Sequence, residues 1–199
     1  MPVNEHLVVV SGKSKYIDDI TLPNTVYLGI VRSPYARAVI KEISRPSKAL
    51  LFITGKELKA FLPAIPVPNA NIVKMPVFAE DRVNFVGQPV TAVVSEDRYE
   101  LFDIIDEIGV EYEELKPVTT IEEALKGDII IHSKSNIAVD QELKGGDFSL
   151  QKDYDVVVER KIYQNRIIGN PMETRGCLVN YDGEKLIVYA STQSALSSL

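Results

Sequence analysis

Residues 90–109, which read VTAVVSEDRYELFDIIDEIG, decide the fold of the first part of the chain. Val90 to Val94 is a nearly continuous apolar run, which is typical of a buried strand. Ser95 is a good helix N-cap, and the two acidic residues after it suit the positive end of a helix dipole. Gly109 can end the helix. Apolar residues recur on one face of the segment between them, at Leu101, Ile104, Ile105 and Ile108.

Shorter elements are predicted around this strand and helix. Thr54 and Glu57 have the spacing of a capping box, as do Thr120 and Glu123, so a short helix is expected after each threonine. The prolines between residues 63 and 76 predict an extended loop. Alternating or apolar runs predict strands at residues 25–31, 38–43, 50–53 and 110–115, the last of them at a sheet edge. Strands and helices are therefore mixed, and the expected class is α+β.

The pattern changes after Gly127-Asp128, where strand signals dominate. His132 follows an apolar run and is expected to cap a strand. Further strands are predicted at residues 139–143, 155–163, 177–181 and 185–190. We therefore predict two domains, residues 1–126 and residues 127–199.

Composition excludes several classes of protein. The 199 residues carry a formal net charge of -6, which argues against a nucleic-acid-binding surface. No apolar run approaches the ~20 residues of a membrane span. The first residues lack the basic and apolar regions of a signal peptide, so the expected compartment is the cytoplasm. The single cysteine, Cys177, excludes an internal disulfide, and its apolar context predicts a small core residue.

No single residue indicates a reaction. Gly12-Lys-Ser14 resembles part of a phosphate-binding P-loop, but Leu7 stands where that loop needs its first glycine. Asp18-Asp19 precedes Leu22-Pro23 and is expected to organise a turn. The two histidines, His6 and His132, have no partner at metal-ligand spacing.

An ordered series of short segments is more informative than any of these residues. The segments are 12–20 (GKSKYIDDI), 31–37 (VRSPYAR), 52–58 (FITGKEL), 81–90 (DRVNFVGQPV), 110–113 (VEYE), 171–176 (PMETRG) and 189–193 (YASTQ). In this order they resemble the molybdenum-binding large subunit of the xanthine dehydrogenase, aldehyde oxidase and carbon monoxide dehydrogenase family. The resemblance implies an α/β hammerhead domain over about Lys13 to Lys116. It also implies that the β-rich start of a molybdopterin-binding domain follows from about Gly127.

The resemblance also implies a function. Members of the family are oxidoreductases that hydroxylate an aldehyde, heterocycle or related carbon with oxygen from water. The molybdopterin cofactor carries the difficult chemistry, and electrons leave through iron–sulfur and flavin subunits. Two of the family's segments, a glycine-rich Gly-Gly-Gly-Phe-Gly and a distal Gly-x-Gly-Glu that carries the base, are absent from these 199 residues. We therefore expect the chain alone to be catalytically incomplete, and to need the rest of the molybdenum subunit.

The resemblance assigns one residue to the cofactor. Gln193 matches a family glutamine beside the molybdenum, where an amide can both donate and accept hydrogen bonds. Glu173 and Arg175 fall in another family segment, although Thr174 stands where many members have proline; we interpret them as an ion pair or a substrate-channel contact. No catalytic residue and no metal ligand is assigned.

Two other functions stay open from the sequence. The hammerhead domain can act as an interaction or assembly module without a redox role, or the chain can be the product of a decayed gene. In each case we expect the first part of the chain to fold by itself. The part after Gly127 should be less protected from exchange because its partners are missing.

Overall fold

The computed structural model describes residues 5–63, 67, 70–71, 73–132, 134–146 and 155–192. The chain forms two compact units. The central unit is Asn24–Asp147, and the terminal unit combines Met1–Pro23 with Phe148–Leu199. The division that we predict near Gly127 concerns domain families and stays a prediction.

The secondary structure of the described residues mixes strands with short helices, which confirms the α+β class. The central unit contains, in chain order, β1 (Tyr27–Arg32), β2 (Ala38–Ile43), β3 (Leu51–Thr54), α2 (Gly55–Leu58), β4 (Arg82–Val83), β5 (Pro89–Ser95), α3 (Glu100–Glu107), β6 (Val110–Glu114) and α4 (Ile121–Lys126). The terminal unit contains α1 (Glu5–Val10), a 3₁₀ turn (Ile17–Asp19), β7 (Cys177–Tyr181) and β8 (Leu186–Ala190). None of the helices in the described part of the chain is long and apolar enough to cross a membrane.

The central unit contains two antiparallel sheets of three strands each. The first sheet has the order β1-β5-β3, and the second has the order β4-β2-β6. In the first sheet, Val93 of β5 lies between Gly29 of β1 and Phe52 of β3. In the second, β6 pairs with β2 alone, so the predicted edge strand is confirmed.

Helix α3 covers one face of the first sheet. Val93 is fully buried and forms a core cluster with Leu101, Ile104 and Ile108, the residues whose spacing predicts the helix. Gly29 lies opposite α3, and a Cβ atom at this position would lie 2.6 Å from Ile105 Cδ1. The absence of a side chain at Gly29 therefore lets the helix approach the sheet.

A second cluster joins the two sheets. Its buried members are Ala38, Ile40, Ala79, Val83 and Val90. Val90 belongs to β5 of the first sheet, and Ala38 and Ile40 belong to β2 of the second. The buried strand predicted at residues 90–94 therefore contributes to both hydrophobic clusters.

The predicted start of α3 is wrong. Ser95 is the last residue of β5, and the helix begins at Glu100. The Asp97 carboxylate accepts hydrogen bonds from the backbone N–H groups of Tyr99 (2.6 Å) and Glu100 (2.9 Å). Asp97 therefore satisfies free donors at the helix start, and Ser95 accepts from the N–H of Asp97 instead. Pairing of Ser95 with Tyr27 keeps it in the sheet.

Side chains cap the other two helices of the central unit as predicted. Thr54 and Glu57 form a capping box at α2, and hydrogen bonds from Thr54 lower the pKa of the Glu57 carboxyl. Thr120 accepts from the N–H of Glu123 at α4, and Gly127 ends that helix with a left-handed φ of 71°. A hydrogen bond from the Thr119 N–H lowers the pKa of Glu123.

No strand forms between Asp128 and His132, so the prediction that His132 caps a strand is wrong. The Asn136 side chain folds this segment into a turn. Its Nδ2 donates to the carbonyl oxygens of Ala124 (3.1 Å) and Ile129 (2.7 Å), and its Oδ1 accepts from the N–H of Ile131 (2.9 Å). An amide four residues after His132 therefore overrides the β propensity of the apolar run.

The terminal unit has one sheet within the described residues, the β7–β8 hairpin. The strands predicted at 177–181 and 185–190 are confirmed. Those predicted at 139–143 and 155–163 are wrong, since these residues make no strand pairing. A β pattern needs a neighbouring strand for its hydrogen bonds, and Val156, Val157 and Val158 are exposed instead. Cys177 is also exposed, because no second layer of described residues covers the hairpin, so its predicted core position is wrong.

Gly55 should be the most sensitive glycine of the central unit. A Cβ atom there would lie 2.4 Å from the carbonyl oxygen of Ala79 and 2.6 Å from that of Phe78. Backbone atoms cannot rotate away, so we expect Gly55→Ala to lower the free energy of unfolding by about 2–3 kcal/mol. Urea unfolding of the full chain measures this change. Gly145→Ala is the control, because the space around Gly145 is open; equal stability of the two variants would contradict the packing account.

Candidate functional site

Three of the segments that carry the resemblance come together in the terminal unit. The segments are 12–20, 171–176 and 189–193. The N–H of Ser191 donates to the carbonyl oxygen of Gly176 (3.2 Å), and Ser191 Oγ donates to that of Thr174 (3.2 Å). The N–H of Ile17 makes a long contact of 3.5 Å with Glu173 Oε1. Residues that are 156 positions apart in the sequence are therefore neighbours in this unit.

Gly176 packs closely against Ile17, which joins the first two of these segments. A Cβ atom on Gly176 would lie 3.1 Å from Ile17 Cγ2 and 3.3 Å from Ile17 Cβ. Ile17 begins the 3₁₀ turn, in which the Asp19 carboxylate accepts from the N–H of Tyr16 (3.0 Å). The turn predicted at Asp18-Asp19 is thus confirmed. The sequence did not predict its packing on Gly176, which is a tertiary contact without a local signal.

An open cleft of about 550 Å³ lies where these segments meet. Its lining residues are Tyr16, Ile17, Asp18, Asp19, Met172, Glu173, Thr174, Arg175 and Gly176. The charged side chains of this lining are three carboxylates and one guanidinium. The cleft therefore carries an excess of negative charge, which repels an anionic ligand. The cleft therefore does not fit molybdopterin, which carries a phosphate. No cluster of three or more metal-ligating side chains occurs in the part of the chain that the structure describes.

Glu173 and Arg175 do not form the ion pair given as one interpretation. Among the described residues, no contact of 4.0 Å or less joins their charged groups, and Glu173 approaches the backbone of Ile17 instead. The two residues therefore do not pair with each other, and a substrate-channel contact stays a prediction.

The remaining candidate residues are dispersed. Gln193, the predicted cofactor contact, lies outside the described residues, two positions after Ser191. His6 lies in α1, and His132 is exposed beyond α4 in the other unit. The segment before Gly12 is the helix α1 and not a strand, so Gly12-Lys-Ser14 lacks the strand–loop–helix geometry of a P-loop.

In the central unit, the segments 31–37 and 81–90 build the fold. The N–H of Ser33 donates to the carbonyl oxygen of Gln88 (2.9 Å), and the N–H of Gly87 donates to that of Ser33 (2.8 Å). Arg32 Nη1 donates to the carbonyl oxygen of Gly87 (2.9 Å), and the Gln88 side chain accepts from the N–H of Asn84 (2.7 Å). Ser33 and Gln88 are buried, so their hydrogen bonds satisfy loop atoms that water does not reach.

Two aromatic rings adjoin this network. The rings of Tyr35 and Tyr112 are 5.1 Å apart between centroids and are tilted by 50°. Burial raises the pKa of the Tyr112 hydroxyl, so this group stays protonated at neutral pH. The network and the two rings hold β1, β2, β5 and β6 together, which is a structural and not a catalytic arrangement.

Comparison with known proteins shows the family. Residues 11–116 match the family described as "Aldehyde oxidase and xanthine dehydrogenase, a/b hammerhead domain". The chain belongs to this family. Residues 131–197 match the "Molybdopterin cofactor-binding domain". The hammerhead domain expected over Lys13 to Lys116 is therefore confirmed, and so is the resemblance stated from the ordered segments.

Relatives include the nicotine 6-hydroxylase large subunit of Paenarthrobacter nicotinovorans, which is 28% identical over 97% of this chain. The nicotinate dehydrogenase large molybdopterin subunit of Eubacterium barkeri is 31% identical over 96% of it. The chain spans 25% and 46% of the lengths of these two relatives.

Solved structures agree with this relationship. Quinoline 2-oxidoreductase from Pseudomonas putida 86 superposes with a TM-score of 0.57 at 29% identity. The match covers 65% of this chain and 18% of that one. Membership of the family therefore rests on sequence and on fold.

The contact between Ile17 and Gly176 can be tested with paired substitutions. Gly176→Val should displace the segment around Ile17, because the extra methyl groups need space that the isoleucine fills. Hydrogen exchange of residues 13–20 should then become faster, and Ile17→Ala in the same chain should restore it. Gly169→Val is the control, since nothing lies within 4 Å of a Cβ atom at that position. Unchanged exchange in Gly176→Val would show that the segment does not pack there.

Proposed function

We propose that this chain supplies the hammerhead domain and the first part of the molybdopterin-binding domain of a molybdenum hydroxylase large subunit. The observation that carries the proposal is collinearity: both domain matches occur in one order over residues 11–197. Relatives named as large subunits align with nearly the whole chain but extend well beyond it. We further propose the domain limits 1–126 and 127–199.

The proposed activity is that of the assembled enzyme, an oxidoreductase that hydroxylates a carbon centre. Bound molybdopterin would supply the redox chemistry, and the protein would orient it and its substrate. The cleft of the terminal unit carries an excess of negative charge, which does not suit the phosphate of this cofactor, and the two family segments expected to contact the cofactor and to provide the base are absent from these 199 residues. We therefore propose that the chain alone is inactive.

The proposed partners are the rest of the molybdenum subunit, an iron–sulfur subunit and a flavin subunit. One relative is named as the gamma subunit of the 6-hydroxypseudooxynicotine dehydrogenase complex, which supports an assembly of several chains. The proposed location is the cytoplasm, and no nucleic-acid partner is proposed for a chain with a net charge of -6.

A pull-down from the source cell tests the assembly. The full chain carries an affinity tag, and mass spectrometry identifies the proteins that remain bound. The proposal predicts polypeptides with iron–sulfur, flavin and molybdenum-binding sequences. Their absence, with binding of unrelated proteins instead, would favour the alternative in which the hammerhead domain is an interaction module.

The purified chain should contain no molybdenum and should oxidise no aldehyde or purine. The physical reason is that the segments expected to contact the cofactor and to provide the base are not among its residues. Elemental analysis and a dye-reduction assay measure both properties. Stoichiometric molybdenum together with dye reduction would contradict the proposed incompleteness.

Gln193→Ala should lower turnover after the missing portion is supplied in trans. An amide beside the metal can orient a ligand by hydrogen bonding, which alanine cannot, and loss of one such donor costs about 10²–10³-fold in turnover. Molybdenum content and subunit assembly should stay normal, which separates this role from a structural one. His6→Ala is the control. Equal and small effects of both substitutions would contradict the role of Gln193.

A further inference from the structure

The first sheet of the central unit has a second face that α3 does not cover. Side chains alternate across a strand, so the neighbours of Gly29, Val93 and Phe52 point away from the helix. These neighbours form two rows across the three strands: Leu28, Val94 and Leu51 in one, and Ile30, Ala92 and Ile53 in the other. We call this surface the outer face.

The outer face is apolar, and part of it is open to solvent. None of its six side chains is polar or charged. Leu28 is 61% exposed and Leu51 is 52% exposed, although Ala92 between the strands is buried. Val26, which lies two residues before Leu28, is also 50% exposed. Leu28 and Leu51 lie on the two outer strands of this sheet, on either side of Val94, so these apolar side chains form a continuous patch. Such patches mark interaction sites.

The apolar sequence of β5, the central strand of this sheet, also indicates an interaction site on the outer face. β5 is apolar on both faces, with Val93 toward α3 and Val94 toward the outer face. Continuous apolar strands are typical of sheets that are covered on both sides. Among the described residues of the central unit, α3 covers the face of Val93, and the second sheet packs against Val90 at the start of the strand. The second cover is expected to lie over the row of Leu28, Val94 and Leu51.

The chemistry of the face limits what can cover it. Transient interfaces are about as polar as the rest of a protein surface, whereas permanent ones resemble a domain core. A six-residue face without a charge therefore fits a permanent neighbour. Relatives extend well beyond the part that this chain spans, which is 25% of the nicotine 6-hydroxylase large subunit. The portion of such a subunit that this chain does not span can therefore supply a permanent neighbour.

We propose that the outer face docks on the portion of the large subunit that this chain does not span. The inference rests on the proposed function, because it takes its occupant from the assembled subunit. It goes beyond that function by naming Leu28 and Leu51 as the residues that attach the hammerhead domain. The occupant should present uncharged, apolar side chains toward them.

The test measures association of the full chain with one defined probe. The probe is the polypeptide of the source genome that carries the Gly-Gly-Gly-Phe-Gly and Gly-x-Gly-Glu segments. Leu28→Asp and Leu51→Asp each place a charge in the proposed interface. Phe102→Asp is the matched control, since Phe102 lies on α3 and is also 61% exposed. All three side chains already contact solvent, so thermal unfolding should confirm that each variant remains folded.

We expect Leu28→Asp and Leu51→Asp to raise the Kd for the probe about 10- to 100-fold, the loss that follows when a leucine is no longer buried. Phe102→Asp should change the Kd by no more than about twofold. If wild-type chain binds the probe and all three variants bind equally well, the docking surface is wrong and the proposed function stands. If the wild-type chain does not bind the probe, the proposed function is contradicted, and the docking proposal that rests on it is contradicted too. If the free chain is a dimer that Leu28→Asp dissociates, a second copy covers the face and the proposal is wrong.

Discussion

Burial of β5 is the constraint on which the central unit depends. This strand lies in the middle of the first sheet, and its side chains enter both hydrophobic clusters. Val93 packs under α3, and Val90 packs between the two sheets, and each is fully buried. Complete burial of a valine contributes about 1.5–3 kcal/mol relative to exposure. Both sheets and the helix are thus held by the same short apolar run.

The terminal unit has no comparable strand among its described residues. Its hairpin exposes side chains on both faces, including all five residues of β8. Among its described residues, the segments of this unit contact one another through Gly176 and Ile17 and through hydrogen bonds near Ser191. The two units therefore differ in kind: one encloses its own core, and the other offers apolar strands and an acidic cleft. This difference agrees with the proposal, which rests on the two collinear domain matches, that the chain is part of a larger subunit.

The sequence predicts the central unit well because its signals are local. The capping box of Thr54 and the apolar spacing of α3 depend on residues within one or two helical turns. The errors arise where distant or competing contacts determine the local structure. Asp97 replaces Ser95 as the cap because the strand keeps Ser95, and Asn136 folds a segment that looks like a strand. The candidate site is harder to predict from the sequence. The packing of Ile17 on Gly176 has no local signal, and the role of Gln193 rests on resemblance alone.

Hydrogen exchange of the full chain in isolation tests the central claim most directly, because amides exchange as slowly as the structure around them is stable. The account predicts the slowest exchange in β5, which enters both clusters, and in α3, which packs on Val93, and it predicts fast exchange over residues 155–176. The β7–β8 hairpin should exchange at an intermediate rate, since it is paired but uncovered. Uniform slow exchange from β1 through β8 would contradict the account, because it would show that the terminal unit completes its own core without the rest of a large subunit.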